Sequence, residues 1–198
     1  MSQSFTQFLS LIKADMQHRC SYENKHLNLT QAVKFIFNIA AFSTVLYRLQ
    51  TFLYANRLSF IGYFVRTFNG LFCSIDIDPS AKIEGGLFIM HCSYICIGKN
   101  VVIGKNCMMA HQNSIIPSPF FKLGSSGQIK GPTLGDNVVL GAGATLTGDI
   151  VLGNNVQVSM NAAVESSFSD DAVLFGVPAK NIVKKHTAES IVEEVSER

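Results

Sequence analysis

The sequence predicts a mainly β protein: a left-handed parallel β-helix of hexapeptide repeats preceded by an α-helical N-terminal domain. Two observations carry this prediction. An aliphatic residue returns every six positions in the second part of the chain, and the composition changes near residue 75. Before that point glycine occurs only at Gly62 and Gly70, whereas it is dense afterwards. We therefore predict a helical domain over residues 1–74, a β-helix over 75–182 and a tail over 183–198.

The period of six fits neither an α-helix, which repeats every 3.6 residues, nor the simple alternation of an ordinary strand. It fits a short strand followed by a tight corner, so that three such units make one coil and stacked coils bury a continuous aliphatic core. The repeated core positions are Ile97, Ile103, Met109 and Ile115, followed by Leu134, Leu140, Leu146, Leu152, Val158 and Val164.

The first part of the chain is predicted to be helical, because apolar residues recur at helical spacing near residues 5–12, 33–49 and 58–72. Asn28 or Thr30 is expected to cap the second helix. The segment Tyr47–Leu49 is amphipathic and is expected to lie on the helix surface, facing a neighbour.

The same region is apolar enough to raise the question of a membrane. Its longest charge-free run, residues 35–47, is shorter than the roughly 20 residues that span a bilayer, so no spanning helix is expected. Peripheral membrane contact and burial in an oligomer both stay open.

The composition limits the classes of partner and the compartment. The net charge is +2 with no cluster of Lys and Arg, so nucleic acid is not an expected partner. The five cysteines form no CxxC pair, which favours free thiols in a reducing compartment. The first residues are polar, so no signal peptide is expected. We expect a cytoplasmic protein, with a location at the inner face of the membrane left open, and no metal.

One insertion interrupts the repeat. Residues 117–132 contain Pro, Gly and Ser and break the six-residue spacing between Ile115 and Leu134, so they are predicted to form a protruding loop. Loops on a rigid scaffold frequently help to build an active site.

These repeats, with the helical region before them and the closing sequence Gly176–Lys180, resemble the hexapeptide acyltransferases. Within that superfamily the chain is most similar to the serine acetyltransferases and to their relatives that modify sugars and polysaccharides. The most specific likeness is the stretch Ile75–His91, which resembles the first coil of the family. The resemblance implies an O-acetyltransferase that uses acetyl-CoA as co-substrate, transfers the acetyl group directly in a ternary complex and needs no metal.

The resemblance also assigns the catalytic residues. Attack by an alcohol needs a base that accepts its proton, and a histidine with a near-neutral pKa is the usual choice. A carboxylate can hold such an imidazole in one tautomer. Asp76 and His91 have the spacing of the family's Asp and His. We therefore expect His91 to be the general base and Asp76 its orienting partner.

Three departures from the serine enzymes concern the acceptor and the partners. The Asp that they carry before the catalytic His is Met90 here, and a thioether cannot pair with the ammonium group of serine. The serine enzymes also carry an Arg-His pair before their later repeats. The corresponding segment here is Lys130–Pro132, which contains no histidine, so a single histidine must act as the base. The final residue is Arg198 rather than Ile, so a complex with cysteine synthase is not expected. A sugar or polysaccharide-precursor hydroxyl is the predicted acceptor, with Met90 and His111 as acceptor-binding residues.

The resemblance further implies a site for acetyl-CoA. Gly141, Ala142 and Gly143 match the family's small residues along the pantetheine arm, although coil packing alone accounts for them equally well. Lys180 and Lys184 are expected near the phosphates of the nucleotide. Because the family binds acetyl-CoA between subunits, a homotrimer or a dimer of trimers is expected.

Three alternatives stay open at this point. The first is a serine O-acetyltransferase, and the second is a β-helix scaffold without catalytic activity. The third is a β-helical carbonic anhydrase, which needs three His ligands for zinc, whereas the predicted coils contain only His91 and His111.

Overall fold

A computed structural model describes residues 3–117 and 130–182. Four helices come first: α1 (Phe5–Tyr22), α2 (Leu29–Phe37), α3 (Ile39–Ala55) and α4 (Ser59–Cys73). They are followed by fifteen short strands within these ranges. The predicted tail over 183–198 and most of the predicted loop over 117–132 fall outside the described residues.

Polar caps define where the helices begin. Ser4 forms a capping box with Gln7 at the start of α1, in which each side chain satisfies a backbone N–H of the other residue. Asn28 accepts a hydrogen bond from the Gln31 amide and caps α2, which decides between the two predicted capping residues. Asn38 separates α2 from α3 and caps α3. The single helix expected over residues 33–49 is therefore two helices, bent by 87° at this residue.

The strands form three parallel sheets that wind into a solenoid of about four turns, which confirms the predicted β-helix. The first sheet contains β1 (Ile75–Ile77), β4 (Ile95–Ile97), β7 (Ser114–Ile116), β10 (Thr145–Thr147) and β13 (Ala163–Val164). The second contains β2 (Lys82–Ile83), β5 (Val102–Ile103), β8 (Thr133–Leu134) and β11 (Val151–Leu152). The third contains β3 (Phe88–Ile89), β6 (Met108–Met109), β9 (Val139–Leu140), β12 (Gln157–Val158), β14 (Val173–Phe175) and the antiparallel β15 (Lys180–Asn181).

The hexad aliphatics fill the centre of the coil. Ile103, Met109, Ile115 and Leu146 are each 0% exposed, as expected when one side chain per strand points inward. The same hydrophobic cluster continues into the helices through Tyr47 and other residues of α3. The helices and the coil therefore share one core.

Asparagines turn the chain between the second and third sheets. Asn106, Asn137 and Asn155 adopt left-handed backbone conformations with φ between 55° and 58°, which Asn tolerates better than most residues. Their side chains form a ladder that runs from Asn106 to Asn137, to Asn155 and on to Asp171, with steps of 3.2, 3.0 and 2.9 Å. Each coil is thus tied to the next by a side-chain hydrogen bond at this corner.

The α3 helix lies against the open end of the first coil through polar side chains. Backbone N–H groups of the first coil donate to carbonyls of the second coil, as Lys82 does to Val101, and those carbonyls of the first coil that point away from the second coil need other donors. Tyr47 donates to the Ala81 carbonyl at 3.2 Å, and Gln50 donates to the Ile77 carbonyl at 2.9 Å.

The most extensive of these contacts is made by Arg48. Its guanidinium donates to the carbonyls of Ile83 and Glu84 and forms a two-bond ion pair with Asp15 of α1, at 2.9 Å for each bond. Tyr47 and Arg48 are 1% and 2% exposed. The expectation that Tyr47–Leu49 lies on the surface and faces a neighbour is therefore wrong for these two residues, because their polar groups satisfy the carbonyls at the end of the coil.

The outer faces of α2 and α4 carry exposed large apolar side chains. In the part of the chain that the structure describes, no single helix has the length and apolar character to cross a membrane, although the bent pair α2 and α3 passes that test when taken together. The most exposed of these apolar side chains are Leu29, Phe37, Phe60, Phe64, Leu71 and Phe72.

Candidate active site

Most of the predicted site residues lie along one corner of the solenoid, at the point where each coil leaves its strand in the third sheet. We call this corner the ridge; it consists of residues 90–94, 110–113, 141–144, 159–162 and 176–179. Backbone hydrogen bonds join its layers: the Gly143 amide donates to the His111 carbonyl at 2.9 Å, and the Asn161 amide donates to the Ala142 carbonyl at 2.8 Å. Residues far apart in sequence therefore become neighbours because the coils stack in register.

His91 lies on the first layer of the ridge, directly after β3, and is exposed to solvent. His111 occupies the second layer, and the centroids of the two rings are 6.1 Å apart at an interplanar angle of 69°. Met90 precedes His91 and is half-buried. The structure thus brings together the predicted base and both predicted acceptor-binding residues, whose roles stay predictions.

Asp76, the predicted partner of His91, forms an ion pair with Arg66 instead. Asp76 lies in β1 with its carboxylate exposed, and its two oxygens accept hydrogen bonds from Nε and Nη2 of Arg66 at 2.6 and 3.0 Å. Within residues 3–117 and 130–182 no hydrogen bond joins Asp76 to His91. The orienting role of Asp76 stays a prediction, and the structure does not show the contact that this role requires.

Arg66 is the residue that the sequence analysis missed. It lies in the middle of α4, is the only charged residue of that helix, and reaches Asp76 in β1, the strand that follows the helix after Ser74. The hydrogen bond to Asp76 raises the pKa of Arg66, so the guanidinium is charged at neutral pH. One signal was available in the sequence: an isolated cation in an otherwise apolar helix is typical of a residue with a specific anionic partner.

The glycines of the third layer are required by the stacking of the coils. A Cβ atom on Gly141 would lie 2.7 Å from the backbone nitrogen of Met160, and Gly143 has a φ of +73°. Both constraints exclude a larger residue. Coil packing is therefore sufficient to explain Gly141, Ala142 and Gly143, and their contact with acetyl-CoA stays a prediction.

The predicted phosphate-binding lysines lie beyond the last layer of the ridge. Lys180 follows the corner 176–179, is exposed and stands in β15, which pairs with β14. Its position at the end of the ridge is compatible with a ligand that lies along the corners. Lys184 lies outside the described residues.

The thiols near the ridge are poor nucleophiles. Burial raises the pKa of the Cys92 thiol, next to His91, to about 11, and it also raises the pKa of Cys96 in β4. Since the thiolate is the reactive form, acyl transfer through a cysteine is disfavoured and direct attack by the acceptor is favoured. In the described ranges no group of three or more His, Cys, Asp and Glu side chains is arranged to hold a metal ion.

Comparisons with known proteins match this architecture. The family pattern described as "Hexapeptide repeat of succinyl-transferase" matches residues 94–116, 123–148 and 133–166. The serine acetyltransferase of Helicobacter pylori strain J99 is 36% identical over 141 residues, which make up 70% of this chain and 78% of that protein. The serine acetyltransferase of Staphylococcus epidermidis strain RP62A is 34% identical over 136 residues, with coverages of 67% and 60%.

Solved structures show the same fold. The serine acetyltransferase of Neisseria gonorrhoeae superposes with a TM-score of 0.76 over 96% of this chain and 70% of that chain, at 21% identity. The enzyme of Brucella abortus strain S19, solved in complex with Coenzyme A, gives a TM-score of 0.78 over 90% of this chain and 68% of that chain, also at 21% identity.

The repeats, the helical region ahead of them and these relatives define an acyltransferase of the hexapeptide-repeat superfamily. Within that class the chain belongs to the serine acetyltransferase-like branch. This membership confirms the predicted enzyme class, an acyltransferase that uses acetyl-CoA.

Proposed function

We propose that the protein transfers the acetyl group of acetyl-CoA to a hydroxyl group, with His91 as the general base. The observation that carries this proposal is the position of His91, exposed on the same ridge as the small-residue corner 141–144. The acceptor hydroxyl gives its proton to the imidazole as its oxygen attacks the thioester carbon. The thiol of CoA then leaves and takes up the proton from the imidazolium.

The first candidate acceptor is the hydroxyl of serine. The relatives described above are all named serine acetyltransferases, and the first of them shares 36% identity with this chain. The second candidate is the hydroxyl of a sugar or polysaccharide precursor, which the half-buried Met90 beside His91 favours. A thioether offers no charge to an ammonium group, whereas it packs well against the apolar face of a sugar ring.

An acceptor panel separates the two candidates. Release of CoA thiol is followed with serine and with a set of free and nucleotide-linked sugars, using the wild-type chain. Saturable turnover with serine alone establishes serine as the acceptor. Turnover with a sugar alone rejects it. If neither acceptor supports turnover and calorimetry shows no binding of acetyl-CoA, the proposed acetyl transfer is contradicted. The alternative of a β-helix scaffold without catalytic activity is then favoured.

Replacing Met90 provides a sharper test of how serine is recognised. Met90→Asp places a carboxylate beside the base, and a charged hydrogen bond to the ammonium group is worth about 1.5–3 kcal/mol. We therefore expect kcat/KM for serine to rise by about tenfold or more, and kcat/KM for any sugar to fall. The matched control is Met160→Asp, which introduces the same charge at an exposed Met on the fourth layer of the ridge. An equal change in both variants contradicts a local contact at position 90.

The assembly is part of the proposal. We expect a homotrimer, or a dimer of trimers, because the ridge is open to solvent and the outer faces of α2 and α4 expose large apolar side chains. Light scattering after size-exclusion chromatography is expected to give three or six times the chain mass of 21.7 kDa. A mass of one chain at micromolar concentration would contradict the assembly. The cytoplasmic location and the peripheral membrane contact stay predictions.

A further inference from the structure

Helix α2 presents its apolar face to solvent. Leu29, Val33, Ile36 and Phe37 recur at the spacing of one helix face. All four are exposed, Leu29 by 82% and Phe37 by 86%, and the only buried residue of the helix is Phe35. A surface helix of a globular protein normally turns its apolar face towards the core. The face of α2 is therefore left for a partner outside the described part of the chain.

The helical region also has a one-sided distribution of charge. All 14 acidic residues of the chain lie outside residues 24–75, whereas this segment contains five Lys and Arg. Three of the five form ion pairs with carboxylates: Lys25, Arg48 and Arg66. Lys34 on α2 and Arg57 after α3 are exposed and form no ion pair with any residue that the structure describes. The segment thus combines exposed apolar surface with unpaired positive charge.

The polar side of α2 borders an open cavity of about 200 Å³ between this helix and α1. Arg19 of α1 and Gln31 and Lys34 of α2 line this cavity. One of its lining residues is acidic, Glu23, and its carboxylate is bound by Lys25 at 2.6 Å and by Arg19 at 3.3 Å. Two cationic groups and an amide therefore stand at the edge of the apolar face, where a phosphate group can bind.

An exposed apolar helix face flanked by cations matches the surface of a bilayer that contains anionic phospholipid. The apolar side chains of such a helix enter the boundary between headgroups and acyl chains, while Lys and Arg stay with the phosphates. We propose that α2 docks the protein on such a surface, with Leu29 and Phe37 inserted and with Arg19 and Lys34 at the headgroups. The contact is with the surface only, because α2 has nine residues and a spanning helix needs about 20.

A second copy of the chain fits this face less well. The contact would rest on four side chains of α2, which cover about half of the roughly 800 Å² that each partner contributes to a stable interface. In a symmetric contact the same patch meets itself, so Lys34 would approach Lys34 of the other copy with no carboxylate from residues 24–75 to pair it. Helix α4 differs, since its single charged residue, Arg66, is already paired. The apolar face of α4 therefore carries no free cation and suits the proposed assembly.

Co-sedimentation of the full chain with lipid vesicles tests the inference. Vesicles of phosphatidylcholine that contain about one third phosphatidylglycerol are compared with vesicles of phosphatidylcholine alone. The wild type is expected to bind the anionic vesicles about tenfold more strongly or better, and to lose most of this preference when salt is raised from about 0.05 M to about 0.5 M. Acetyl-CoA is left out, so the result does not depend on the proposed acetyl transfer.

Two variants separate the apolar from the electrostatic contribution. Phe37→Ser removes an inserted ring and is expected to weaken binding to anionic vesicles by about tenfold or more at either salt concentration. Lys34→Glu is expected to weaken it by a similar factor at low salt and by much less at high salt. The matched controls are Phe60→Ser, at an 89% exposed Phe of α4, and Lys105→Glu, at an exposed Lys of the coil. Both controls are expected to bind vesicles as the wild type does.

Loss of binding in Phe37→Ser and Lys34→Glu alone supports the docking of α2. The inference is overturned if the wild type does not bind anionic vesicles, or if the two controls weaken binding as much as the two α2 variants. If the wild type does not bind and Phe37→Ser lowers the molar mass of the assembly in light scattering, the face belongs to a second copy. Circular dichroism checks that the variants fold, which is expected because the replaced side chains are exposed.

Discussion

Replacing His91 with Ala is expected to lower kcat/KM for acetyl transfer by about 10²- to 10⁴-fold, the range that a positioned general base contributes. His91 is exposed on the ridge and packs only loosely, so the fold should tolerate the change. The neighbouring thiol of Cys92 cannot take over the proton, because burial raises its pKa to about 11. Thiol release under saturating acetyl-CoA measures the loss, and calorimetry is expected to show that acetyl-CoA still binds.

Two further histidine variants serve as comparisons. His26→Ala removes an exposed histidine between α1 and α2 and is expected to leave kcat/KM unchanged. His111→Ala removes the ring 6.1 Å from His91 and is expected to cost less than His91→Ala, because its predicted role is to bind the acceptor. Activity of His91→Ala within threefold of wild type, or a larger loss in His111→Ala, would show that the base has been assigned to the wrong imidazole.

The second large effect concerns stability. Asp15→Ala is expected to lower the free energy of unfolding by about 3–5 kcal/mol, because removing one partner of a buried ion pair leaves the other charge unpaired. Asp15 is 1% exposed, and besides Arg48 it accepts hydrogen bonds from the amides of Gly86 and Leu87 at 2.8 Å each. Burial opposes the charge on Arg48, but the Asp15 carboxylate more than offsets this, so the pKa of Arg48 is raised. Without Asp15 this offset is lost, and because a guanidinium is not deprotonated in proteins, Arg48 stays charged and unpaired when its partner is removed.

Urea denaturation of the assembled protein at fixed concentration measures the effect. The matched control is Glu23→Ala, which breaks the surface ion pairs of Glu23 with Arg19 and Lys25 and is expected to cost no more than about 1 kcal/mol. The double variant Asp15→Leu with Arg48→Met removes both charges and is expected to recover part of the loss. Equal losses in Asp15→Ala and Glu23→Ala would mean that the pair does not hold α1 and α3 to the coil.

The sequence was sufficient to predict the coil because its core obeys a strict local rule. Outside the insertion at residues 117–132, each inward position, such as Ile103 or Leu146, lies six residues from the next one, and the burial of these residues follows directly from that period. The placement of His91 and His111 on one ridge does not follow from the period alone, because β3 and β6 pair with an offset of 20 residues, two more than three hexads give.

The contacts of the helical region were not predictable in the same way. Arg48 appears in the sequence as an exposed residue of an amphipathic segment, and only the position of α3 against the first coil reveals that it is buried. Arg66 is paired with Asp76 across a change from helix to strand, for which the sequence carries no periodic signal. The bend at Asn38 depends on a single capping residue within a run that otherwise favours one helix. The burial of Arg48 and the pairing of Arg66 with Asp76 depend on how the helices pack against the coil.

The side chains of α3 at the start of the coil also limit how the protein can associate. A stack of parallel strands ends in unpaired backbone groups, and such edges add further strands from other chains and grow into fibres. Here the carbonyls of Ile77, Ala81 and Ile83 accept hydrogen bonds from α3, while at the far end β15 runs antiparallel along β14. A second chain therefore cannot extend the first coil in register at these carbonyls. Strand addition at the first coil is therefore blocked by the chain's own α3 helix.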